Sequence, residues 1–200
     1  MTMFLFTGCV QTDLTVNKKQ SSQNFWADLT NVDDVDMSDF DENLTESEMM
    51  LTEGDEANRM ARIEFPVSEY SRLGRIGRGT IKGSIYIRDL YAQKVVGENT
   101  RLYLNPITSY SQQWYEESYL GGAKMEEADP RLFNYLQFTA SDKNGKFAFY
   151  GVPSGSYYLI GTVKCGQECG YESMKNIRIA TRVRVVGKQV VTQDLTKNLE

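Results

Sequence analysis

Residues 20–58 carry twelve acidic side chains and not one Lys or Arg, so any core this chain builds must come from what lies outside them. Like charges such as Asp33, Asp34, Asp36, Asp39, Asp41 and Glu42, separated by small polar residues, repel one another. They bury too little apolar surface to offset the entropy of ordering. The pattern predicts a disordered acidic segment over residues 9–58. Within it, Phe25 and Trp26 stand out as apolar anchors that could fold onto a partner. Residues 59–200 reverse the sign, with twenty bases against fourteen acids. Residues 59–78, which include Arg59, Arg62, Arg72, Arg75 and Arg78, read as a basic extended lead-in able to pair weakly with the acidic run.

From Gly79 onward, short alternating runs are broken by Gly, Asn, Asp and Pro, which is the pattern of strands. Thr80–Ile87 places Ile81, Gly83, Ile85 and Ile87 on one face, and Thr100–Leu104 pairs Leu102 with Leu104. Phe138–Ser141 and Lys146–Tyr150, joined by Asp142-Lys143-Asn144-Gly145, read as a hairpin because Asn-Gly accepts the positive φ of tight turns. Ser156–Val163 is apolar on both faces, with Tyr158, Ile160 and Thr162 on one and Tyr157, Leu159, Gly161 and Val163 on the other. Ile177–Val186 and Gln189–Leu195 flank Gly187-Lys188. About seven strands at this spacing predict an all-β fold, a Greek-key β-sandwich over residues 79–200.

Gly83 in the first strand, Gly97 before Arg101-Leu102-Tyr103-Leu104, Asp142–Phe149 with its Phe-x-Phe, and Pro153-Ser154-Gly155-Ser156-Tyr157 together resemble the carboxypeptidase regulatory-like domain, a transthyretin-like sandwich. The resemblance covers residues 79–195. It implies the fold, with Phe147 and Phe149 in the core and Tyr157 plugging the edge, and it says little about function. Family relatives that hydrolyse hydroxyisourate use histidines, and this chain has none. Pilin-like sandwiches form Lys–Asn isopeptide bonds, for which Lys82 and Asn176 are the available residue types.

The stretch 105–137 exceeds what the fold needs as a connection, and long connections are more often functional. Ser109–Leu120 reads as a helix capped by Ser109, and Asp129-Pro130 as a second helix start. The aromatics Trp114, Tyr115 and Tyr119 fall near one side of the first helix. They could form a lid over the end of the sandwich or a recognition surface for a partner.

The start, Phe6-Thr7-Gly8-Cys9, resembles the lipobox of bacterial lipoproteins, which implies that residues 1–8 are the remnant of a signal peptide and Cys9 a lipidated N-terminus. Cys165 and Cys169 fall short of a zinc site in a chain without histidine, since such a site needs four ligands. A disulfide fits their spacing better, because Gly166 and Gly170 relax the backbone for the sulfur geometry. A bond of this kind implies an oxidising compartment.

Without histidine the chain has no ready base near pH 7, and it carries no phosphate-cradling glycine loop. The sequence therefore predicts no catalytic residues, no metal and no cofactor. The expected role is that of a non-enzymatic outer-membrane lipoprotein, facing the periplasm or the cell surface and joined to other envelope proteins in a multi-subunit complex. Nucleic acid is not an expected partner, and homo-oligomerisation is left open. The alternative is a carbohydrate- or peptide-binding module with an aromatic surface.

Overall fold

The computed structural model describes residues 59–89 and 91–199. Three isoleucines of the first alternating run, Ile81, Ile85 and Ile87, are fully buried and make β1 (Gly79–Arg88) the spine of one sheet. Against β1, β2 (Lys94–Val96) and β5 (Lys146–Val152) pair antiparallel, while β8 (Val190–Thr192) and β9 (Leu195–Asn198) pair parallel. Ile81 thus lies between Phe149 and Val191, and Ile87 between Val95 and Lys197. The second sheet runs β4 (Gln137–Ala140), β3 (Arg101–Pro106), β6 (Gly155–Cys165), β7 (Lys175–Val185), all antiparallel. The two inner faces interlock through Ile81, Ile85, Leu102, Leu104, Phe147, Phe149, Leu159, Val163, Ile179 and Leu195. The protein is an all-β sandwich, as the alternation predicts.

Nine strands stand among the described residues where about seven were expected. The extra β2 arises because the buried carboxylate of Asp89 accepts hydrogen bonds from the amides of Tyr91 (2.8 Å) and Gln93 (2.7 Å), turning the chain back onto β1. The last run splits into β8 and β9 at Gln193-Asp194. There the Gln193 amide donates to the Lys82 carbonyl at 2.9 Å, and Asp194 Oδ1 accepts from the Ser84 amide at 2.9 Å. This close approach requires Gly83, since a Cβ there would stand 2.0 Å from the Gln193 carbonyl oxygen.

The expected hairpin is a crossover between sheets. β4 pairs with β3 and β5 with β1, so the Asp142–Gly145 turn links the two layers. The local chemistry is still that of a tight turn. Asp142 Oδ1 accepts from the amides of Asn144 (2.8 Å) and Lys146 (2.9 Å), and Gly145 takes φ 73°. Those backbone bonds, led by the one from Lys146, hold the Asp142 carboxyl below its usual range.

Because β6 is apolar on both faces, the outer face of its sheet also needs a cover. The segment 107–136 supplies it, lying over a sheet face rather than over the sandwich end. Its helix has two parts. α2 (Ser109–Gln113) is followed by a π-helical stretch, Trp114–Leu120. The cap is Thr108 rather than Ser109, because Thr108 and Ser111 exchange side-chain to backbone hydrogen bonds at the N-terminus. Ser109 instead donates its amide to the Glu69 carboxylate at 2.8 Å and its hydroxyl to the same group at 2.5 Å. These bonds, the hydroxyl first, lower the Glu69 pKa. As expected, Asp129-Pro130 opens a helix, a 3-10 turn over Pro130–Tyr135 capped by Asp129.

The lead-in 59–78 is not simply extended. Pro66 precedes a one-turn helix, α1 (Val67–Tyr70), and Phe65 stacks on Tyr70 with ring centroids 4.4 Å apart. Both rings pack with Tyr110 and Leu132 of the cover. Further upstream, Met60 bridges Met125, and the side chain of Gln113 bonds the backbone of Ala61 and Ile63. Apolar aromatics among the arginines drive this folding.

Candidate ligand pocket

Strand alternation on β3 sends Leu102 and Leu104 into the sandwich, which leaves Tyr103 and Asn105 for the outer face beneath the cover. Between β3, α2, the 3-10 turn and the lead-in lies a partly open pocket of about 40 Å³. Tyr103, Tyr110, Trp114, Leu132, Phe133 and Leu136 form most of its wall, and Arg62, Asn105 and Ser111 bring polar groups to it. At 10–15 Å³ per water, the space accommodates about three to four atoms of water size.

The polar groups differ in how well they are satisfied. Ser111 Oγ is committed, donating to the Pro106 carbonyl at 2.7 Å and accepting from the Thr108 amide at 2.9 Å. Asn105 is only 5% exposed, and its Oδ1 has no hydrogen-bond partner among the described residues. A buried carbonyl in that state costs on the order of 1–3 kcal/mol relative to a satisfied one. Arg62 is half-buried. Its Nε donates to the Glu126 carbonyl at 2.5 Å, and its guanidinium lies 5.5 Å from the centre of the Tyr110 ring. Burial lowers the Arg62 pKa, with Tyr110 and Glu126 acting in the opposite direction. The Arg62 charge also reaches Tyr103, whose phenol is pushed up by burial and drawn down by Arg178 and Arg62.

Of the three aromatics marked in the sequence, only Trp114 lines this pocket, and it is 6% exposed. Tyr115 stacks on Tyr158 at 4.4 Å and on Tyr119 at 5.3 Å, both partly buried against the sheet. The Tyr119 hydroxyl accepts from the Ala180 amide at 3.0 Å, so the cover reaches the edge strand β7. Arg182 lies over Tyr115 and Tyr158 and pairs with Glu116 at 3.7 Å. The Tyr158 hydroxyl has no hydrogen-bond partner in good geometry among the described residues.

Cys165 and Cys169 form a disulfide with Cα atoms 5.9 Å apart, and both pack into the sandwich core. Cys9, Phe25 and Trp26 lie outside the described residues. Lys82 and Asn176 occupy different sheets, Lys82 exposed on β1 and Asn176 half-buried on β7. No group of three or more Cys, Asp or Glu side chains suited to a metal forms among the described residues.

Sequence reading misses Arg62, Tyr103 and Asn105 as pocket residues. One signal was available: Asn105 is an amide on the face of β3 that the aromatic insert was bound to cover.

No family model matches the chain, and no curated protein does. One similar solved structure is a Pseudomonas aeruginosa crystal structure described as a "putative carbohydrate binding protein". It is 27% identical, covers 68% of this chain and 99% of its own, and superposes with a TM-score of 0.60. An (S)-allantoin synthase also matches, at 9% identity over 62% of this chain and 42% of its own, but its TM-score of 0.30 carries no argument.

Proposed function

We propose that this domain is a carbohydrate-binding module without catalytic activity, and that its ligand docks at the pocket between the cover and the outer face of the second sheet. The observation that carries the reading is the Asn105 Oδ1, buried beside aromatic walls with no partner among the described residues. A sugar hydroxyl is a donor that would satisfy it, and the aromatic residues at the pocket suit a saccharide whose ring lies at its mouth. The similarity to a Pseudomonas aeruginosa protein described as a "putative carbohydrate binding protein" is in line with the same reading. Isothermal titration of the chain against a panel of oligosaccharides tests it. Binding that is lost in Asn105→Leu, with the melting temperature preserved, is the expected outcome. Absence of binding to every saccharide at millimolar concentration would refute it.

A second reading concerns where this binding takes place, and the Cys165–Cys169 disulfide favours it. Such bonds persist in oxidising compartments. The domain would then be carried by an outer-membrane lipoprotein anchored through Cys9 and held among other envelope proteins. Intact mass of membrane-extracted protein should show loss of residues 1–8 with an added diacylglyceryl group. A free thiol at Cys9 would refute the anchor.

A further inference from the structure

The polar groups of the pocket are specific enough to indicate what sort of saccharide enters it, an inference that rests on the carbohydrate reading above. Among the described residues no carboxylate lies within ion-pair distance of Arg62, and Glu126 acts on it only at longer range. A half-buried guanidinium anchored at Nε and laid beside Tyr110 has lost hydration that the protein restores only in part. Its planar fork matches a carboxylate better than any single hydroxyl can. Asn105, which also lines the pocket, carries a buried Oδ1 that needs a donor and would repel a second anionic oxygen. The residues lining the pocket therefore include one cationic fork and one neutral acceptor.

Size narrows the ligand further. At about 40 Å³ the pocket admits a carboxylate and one neighbouring hydroxyl, but not a whole sugar ring. We infer that the pocket recognises an acidic saccharide end-on, a uronate residue whose carboxylate meets Arg62 and whose adjacent hydroxyl donates to Asn105. The ring then rests across the pocket mouth.

The test is calorimetric titration of the full chain with short galacturonate, glucuronate and mannuronate oligosaccharides, with their methyl esters, and with the matching neutral sugars. At least one uronate should bind about tenfold to a hundredfold tighter than its ester and its neutral counterpart, the usual worth of a charge-assisted hydrogen bond. Arg62→Gln should abolish that preference and Arg62→Lys should keep part of it. The ester comparison uses the unaltered protein, so it decides the matter even if a variant folds poorly. Equal binding of neutral sugars and uronates would overturn the acidic specificity and leave the carbohydrate reading intact. Binding of no saccharide would overturn both. Tighter binding of an acetylated tripeptide with a free C-terminal carboxylate would assign the pocket to peptides and overturn the inference.

Discussion

Tyr157 shows how one side chain locks a connection between the sheets. Its ring lies in the sandwich core, and its hydroxyl donates to the Pro153 carbonyl at 2.9 Å, tying β6 to the turn that precedes it. Tyr157→Phe should cost about 1 kcal/mol in denaturant unfolding, the net value of one such bond. Burial pushes the Tyr157 phenol up to about 12, and desolvation does the same to Tyr70, whose hydroxyl accepts from Thr108. For an acid whose folded pKa is raised, the unfolded chain ionises first as pH rises, so stability is full below about pH 10. It should fall between pH 10 and 12, and Tyr157→Phe should make that alkaline loss shallower in pH-dependent melting curves. Stability that stays flat to pH 12 would contradict the burial of both phenols. Gly83→Ala is expected to cost about 1–3 kcal/mol through overpacking, because the obstructing atom at 2.0 Å belongs to the backbone and cannot swing aside.

At the scale of elements, the π-helical stretch explains how the cover works. Its i→i+5 bonding pattern puts Trp114 and Tyr119 on one side of the helix, ring centroids 5.9 Å apart, with Tyr115 beside them over Tyr158. That ladder ends on the edge strand, where the Tyr119 hydroxyl occupies an amide that an incoming strand could otherwise use. In Tyr119→Phe the Ala180 amide should exchange faster with deuterium by about tenfold, while amides at the β3–β6 pairing hold their protection. Unchanged exchange at Ala180 would show that the hydroxyl contact has no weight in solution. Trp114→Ala should cost about 3–5 kcal/mol, as expected for a buried indole, and is therefore a probe of the cover's packing before it is a probe of binding.

The strands were legible from sequence wherever alternation marks a buried face, as in Ile81-Ile85-Ile87 or Phe147-Phe149. The partner of each strand was not. An Asn-Gly turn fixes local φ and leaves open whether the chain returns along its own sheet or crosses to the other, so the sequence of β4 and β5 alone reads as a hairpin. A three-residue strand such as β2, held by one Asp89 carboxylate, has too short an alternation to be legible in the sequence. The pocket was hidden for a different reason. In sequence Arg62 is one of several lead-in arginines and Asn105 the opening of a connection, and only the tertiary fold brings both to the pocket.

Across the whole described molecule, two features set stability and binding apart. The Cys165–Cys169 disulfide closes a short loop at the end of β6, and its reduction should lower unfolding stability by about 2 kcal/mol without altering the pocket, since neither cysteine lines it. An equal loss of ligand binding and stability on reduction would show that the two are coupled. The cover, the lead-in and β3, in contrast, converge on one site whose polar atoms await a donor and an anion. The most direct measurement is an NMR titration that follows the Asn105 side-chain amide, the Arg62 Nε–H and the Trp114 indole N–H while uronate oligosaccharide is added. Uronate binding at the pocket shifts all three resonances together along one saturating curve. Shifts confined to other surfaces, with these three unmoved at saturating ligand, would contradict it.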